Sequence, residues 1–92
     1  MIFNFEIKYF KMSKTFVLRF PTVCTSFTNP QVTKILVIPG SRITRNSDLI
    51  EVESEKGIIT IQSEFSGMVC EILTTTNQFV VEGDALLVIS KD

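Results

Sequence analysis

Apolar and polar residues alternate in short runs along most of the chain, with a period of two. Valine, isoleucine, threonine and phenylalanine fill these runs, and such residues suit a pleated, half-buried surface. The pattern predicts strands over Thr15–Phe20, Val32–Ile38, Leu49–Glu53, Ile58–Gln62, Val69–Thr74 and Ala85–Ser90. Turn-forming residues separate them at Asn29-Pro30, Pro39-Gly40-Ser41, Arg45-Asn46-Ser47-Asp48, Ser66-Gly67 and Glu82-Gly83-Asp84. No segment sustains a helical period, so the predicted fold class is all-β. Before the first of these strands, Phe3, Phe5, Ile7 and Tyr9 also alternate, as an edge strand would. Left uncovered, such a segment invites pairing with other chains. Residues 1–13 therefore read as an N-terminal extension, with Met12 a second candidate start, and residues 14–92 as the domain.

An internal repeat organises that domain. A shift of 37 residues lays Val32, Ile35 and Leu36 on Val69, Ile72 and Leu73. Without a gap, Ile43 then meets Val80, Leu49 meets Leu86, Ile50 meets Leu87 and Val52 meets Ile89. A solenoid needs at least three copies. Two copies predict one domain with a pseudo-two-fold axis, each half giving matching strands to two packed sheets. Between the copies lies Glu53-Ser54-Glu55-Lys56-Gly57, a polar and flexible stretch that fits a tight hairpin turn. Ile50 and Val52 on one flank match Ile59 and Ile61 on the other, while Glu51, Glu53, Thr60 and Gln62 alternate with them and face water.

Composition narrows the chemistry. A chain of 92 residues builds one domain and one core. Histidine is absent, which removes the commonest general base and metal ligand. No nucleophile–base pair, phosphate loop or metal-ligand cluster stands out, so no catalytic residue is assigned and a non-enzymatic role is expected. Residues 1–47 hold seven basic side chains and one acidic one, whereas residues 48–92 hold nine acidic and two basic, Lys56 and Lys91. The basic residues are scattered singly, unlike a nucleic-acid footprint. The acids Asp48, Glu51, Glu53, Glu55 and Glu64 are expected to surround the hairpin and to steer partners toward it. Cys24 and Cys70 lack metal or redox spacing and read as free buried thiols, with a disulfide left open. No apolar run approaches the roughly 20 residues of a membrane span, and the first residues lack the features of a secretory signal.

Lys56 carries the candidate chemistry. At a hairpin tip, on a flexible stem, a solvated amine is a poor nucleophile. Its position suits modification by another protein. The run from Ile50 through Glu53, Glu55, Lys56, Gly57 and Gly67 to Val69 resembles the lipoyl domains of 2-oxoacid dehydrogenase acyltransferases. In that family the modified lysine follows an acid and precedes a small residue, as Lys56 does between Glu55 and Gly57. A glutamate three residues earlier and a glycine eleven residues later are further marks, filled by Glu53 and Gly67. Val32–Gly40 and Val81–Leu86 extend the resemblance over nearly all of residues 14–92. The departures fall in turns, with Gly40-Ser41 and Asn77-Gln78 where Gly-Asp is frequent and Gln62 in place of a proline.

The resemblance implies a barrel-sandwich hybrid, a flattened barrel or sandwich of two four-stranded antiparallel sheets. It implies lipoate in covalent linkage to Lys56, with Glu53, Glu55 and Gly67 serving recognition and presentation of the lysine. The implied partners are a lipoate-attaching enzyme and the 2-oxoacid decarboxylase, acyltransferase and dihydrolipoamide dehydrogenase of a complex, in the cytoplasm or mitochondrial matrix, with neither nucleic acid nor membrane involved. The chain would be a free-standing carrier or part of a larger polypeptide. Two alternatives share the architecture: a biotin carrier, whose lysine is typically flanked by methionines, and an unmodified hybrid-barrel module used structurally. A glycine-cleavage carrier is also lipoylated, but that family is longer.

Overall fold

The computed structural model describes residues 14–21 and 28–92, and among these it contains seven strands and no helix. The strands are β1 (Thr15–Arg19), β2 (Gln31–Ile35), β3 (Arg42–Ile43), β4 (Asp48–Ser54), β5 (Gly57–Gln62), β6 (Gly67–Ile72) and β7 (Ala85–Lys91). One sheet runs β1-β7-β6-β3 and the other β2-β4-β5, with every pairing antiparallel. Six strands correspond to the runs predicted from alternation; the two-residue β3 is too short to carry a period. The expected edge strand at Phe3–Tyr9 and the thiol of Cys24 lie outside the described residues.

The repeat is written into the backbone. Val32 N–H donates to Gln78 O at 2.9 Å, and its partner by the 37-residue shift, Val69 N–H, donates to Ser41 O at 2.9 Å. Leu36 N–H to Leu49 O (2.9 Å) is answered by Leu73 N–H to Leu86 O (2.8 Å). The counterpart of β3 is Phe79-Val80, where only an isolated bridge forms, between Phe79 and Gln31. The second sheet is therefore three-stranded, where four strands were expected. Pro30 supplies the reason. Val80 N–H donates to Pro30 O at 3.0 Å, but proline has no N–H to return the bond. At the equivalent place in the other sheet stands Gly67, which pairs with Ile43.

Repeat partners also make the core. Val32 and Val69, Ile43 and Val80, Leu49 and Leu86, Ile50 and Leu87, and Val52 and Ile89 are all buried between the sheets. Each such side chain stabilises the fold by about 1.5–3 kcal/mol relative to exposure. Leu49 and Ile50 are consecutive yet both buried. A register shift between Asp48 and Ile50 interrupts strict alternation there. Cys70 departs from expectation: its thiol is free and exposed, because Val69 and not Cys70 takes the inward position on β6.

Candidate functional site

β4 and β5 form the hairpin that the sequence marks. Its inward pairs are Ile50 with Ile61 and Val52 with Ile59, and its outward pairs are Glu51 with Thr60 and Glu53 with Ile58. Ser54 pairs with Gly57, so only Glu55 and Lys56 form the turn. Neither of these two has a positive φ; the chain instead takes φ +125° at Gly57. Lys56 N–H donates to the hydroxyl of Ser54 at 3.2 Å, a local bond that holds the turn and occupies the backbone but not the amine. Lys56 is exposed, and its ammonium makes no hydrogen bond or ion pair among the described residues.

Glu53 and Glu55 share the hairpin with Lys56 and are exposed, while Glu51 is half-buried and opposite Lys34. Asp48 and Glu64 do not surround the tip. Asp48 begins β4, about 20 Å from Ser54 at the usual rise per residue. There it accepts a 2.8 Å hydrogen bond from Gln62 Nε2, and Glu64 follows the far end of β5. The expected acidic ring thus reduces to Glu51, Glu53 and Glu55.

Gly67 lies in the four-stranded sheet, between Ile43 and Lys91, and is buried. A Cβ there would fall on the carbonyl oxygen of Ser90 and within 3.2 Å of Lys91 Cα. The close approach of β6 to β7 demands glycine at this position. Two features of the hairpin were not singled out from sequence. One is the Ser54 hydroxyl, legible as a serine two residues before a turn amide. The other is Ile58, 63% exposed, which has the same parity as Thr60 and Gln62.

A cleft of about 630 Å³ opens between β1 and β5, walled by Phe16, Leu18, Ile59 and Ile61 among others, and Lys56 is not part of its wall. The exposed Lys56 side chain thus stands apart from this cleft. This arrangement leaves the Lys56 side chain open to approach from solvent.

A family model described as Biotin-requiring enzyme, covering biotin and lipoyl attachment domains, matches residues 17–89. Among curated protein sequences none matches. Solved structures share the fold. A single-chain, multi-domain long-chain acyl-CoA carboxylase matches with TM-score 0.73 and 20% identity, over 86% of this chain and 7% of that one. The lipoyl domain of the 2-oxoglutarate dehydrogenase complex from Azotobacter vinelandii matches with TM-score 0.64 and 18% identity, over 80% of this chain and 96% of the domain. The urea carboxylase of Kluyveromyces lactis matches with TM-score 0.64 and 21% identity, over 82% of this chain and 6% of that one. The chain thus spans a small fraction of either carboxylase and nearly the full length of the lipoyl domain.

Proposed function

This chain belongs to the biotin/lipoyl attachment family, and from that premise we propose that it is a lipoyl carrier with lipoate in amide linkage on Lys56. The observation that carries the reading is the isolated, exposed amine at the apex of a two-residue turn, with Glu55 before it and Gly57 after it. When bound, lipoamide supplies the dithiolane that accepts and passes on an acyl group. The protein's part is mechanical and electrostatic. The β4–β5 ladder, anchored by buried Val52 and Ile50, fixes the root of the arm while its end moves. Tethering then raises the local concentration of the carried group at each partner active site. Amide formation removes the positive charge of Lys56 and leaves Glu51, Glu53 and Glu55 to present an acidic tip.

The proposed partners are a lipoate-attaching enzyme and the decarboxylase, acyltransferase and dihydrolipoamide dehydrogenase of a 2-oxoacid dehydrogenase complex, in the cytoplasm or a mitochondrial matrix. The chain itself acts as carrier and not as catalyst. Biotin is the second reading, supported by the likeness to two carboxylases. The flanks of Lys56, which are not methionines, favour lipoate.

Expression in a host that makes both lipoate and biotin, followed by intact-mass measurement, tests the proposal. Wild type gains a lipoyl increment and Lys56→Arg gains none. A biotin increment establishes the second reading, and a wild type that stays unmodified with attaching enzymes and cofactors in excess overturns both.

A further inference from the structure

One cross-strand row on the outer face of the three-stranded sheet sets it apart from its repeat partner. Phe79 bridges Gln31, Gln31 pairs with Glu53, and Glu53 pairs with Ile58. The row lies one residue pair below the Ser54–Gly57 closure of the hairpin and spans about 14 Å at ordinary strand spacing. Its two ends are large apolar side chains facing solvent, Phe79 at 62% and Ile58 at 63% exposure. Between them Glu53 is exposed and makes no ion pair among the described residues.

The molecule contains its own control for this row. A matching row crosses the other sheet: Arg42, Met68 and Ser90, the 37-residue partners of Phe79, Gln31 and Glu53, and then Thr15, which holds the place of Ile58 by its pairing with Ser90 and not by the repeat. The two ends of that row are a guanidinium and a hydroxyl where the hairpin row has Phe79 and Ile58, and its one exposed large apolar side chain, Met68, lies inside the row at 42% exposure. Beside the turn that holds Lys56, the hairpin row thus sets an exposed carboxylate between two exposed apolar ends, a pattern its counterpart lacks.

We infer that the row Phe79–Gln31–Glu53–Ile58 is the docking surface for the enzyme that acylates Lys56, an inference that rests on Lys56 being the attachment site. Reach selects this partner. Unmodified Nζ stands only roughly 6 Å from Cα at ordinary bond lengths, so the attaching enzyme must bring its active site against the hairpin itself. Enzymes acting at the end of a loaded arm are under no such constraint. On the inward face Val52 is buried and Ile59 is half-buried at the wall of the cleft, so the exposed groups next to the turn stand on the outer face. The complementary surface carries apolar contacts for Phe79 and Ile58 on either side of a basic side chain for Glu53.

The test installs the control residues. Phe79→Arg and Ile58→Thr, singly and together, are loaded in vitro by a bacterial lipoate ligase with lipoate and ATP, and by a biotin ligase with biotin and ATP. Intact mass against time gives the rates, and thermal melts report folding. With whichever ligase loads wild type, the double variant loses at least tenfold in kcat/KM, mainly through KM. Phe79→Leu retains most of the rate, Glu53→Gln weakens its salt dependence, and the mirrored pair Arg42→Ala with Thr15→Ala loads as wild type. If the double variant melts early, the two singles are judged by the same criterion. Loading of folded Phe79→Arg and Ile58→Thr at the wild-type rate overturns the docking surface while leaving attachment standing, as does an equal loss in the mirrored pair. A wild type loaded by neither enzyme overturns attachment, and the docking surface with it.

Discussion

Gly57 and Gly67 both belong to the pattern around Lys56, yet they act through different links. At φ +125°, Gly57 holds a conformation that any Cβ opposes, although the space around it is open. Gly57→Ala is therefore expected to cost about 1–2 kcal/mol, from backbone strain alone. Gly67 has no positive φ, but a Cβ there would strike the backbone of Ser90 and Lys91, neither of which is a flexible side chain that could yield. Gly67→Ala forces β6 and β7 apart and should cost about 2–3 kcal/mol, as overpacking does. Thermal melts check the order: Gly67→Ala falls further than Gly57→Ala, at about 4–8 °C per kcal/mol for a domain of this size. The spacing of both glycines from Lys56 was legible in the sequence. That Gly67 answers to Ser90 was not, because the two meet only across a sheet.

The hairpin as an element does two separable things: it holds Lys56 out and gathers a small acidic group around it. The ladder from Asp48 to Ser54 spreads the acids of β4 along its length, so sequence proximity to Lys56 overstates their closeness. Reversing Glu51 and Glu55 to lysine should slow attachment at Lys56 and flatten its dependence on ionic strength. Reversing Glu64, beyond the far end of β5, should leave both unchanged, as measured by loading rates between low and physiological salt. Equal effects at both places would remove the steering role from the tip. Alternation located the strands of this hairpin and their inward residues. It did not locate β3, two residues long, nor the loss of a fourth strand beside Pro30, where a missing N–H decides the outcome.

Across the whole molecule, stability is shared between two halves that bury equivalent residues. Leu49 and Leu86 are related by the repeat and both are fully buried. Leu49→Ala and Leu86→Ala should each cost about 2–5 kcal/mol and agree with one another within about 1 kcal/mol, because their surroundings are repeats of one another. Denaturant melts with unchanged slopes check this. A marked inequality would show that the halves contribute unevenly despite their shared register. Against a total stability of about 5–15 kcal/mol, either change is large. By contrast, the exposed pair of Arg42 with Asp92 contributes little, since both side chains remain hydrated.

The amino-acid sequence by itself determined the all-β class, the two-fold repeat, the inward residues and the place of Lys56 at a turn. These follow from local alternation, turn chemistry and spacing, which short stretches of chain carry. Tertiary structure alone decided which residues share a surface with that lysine. It moved Asp48 and Glu64 away from the tip, exposed the Cys70 thiol, set Gly67 against Ser90 and brought Phe79 into a row with Glu53 and Ile58. Such neighbours are made by pairing between strands distant in the chain, and that register is a property of the assembled sheets.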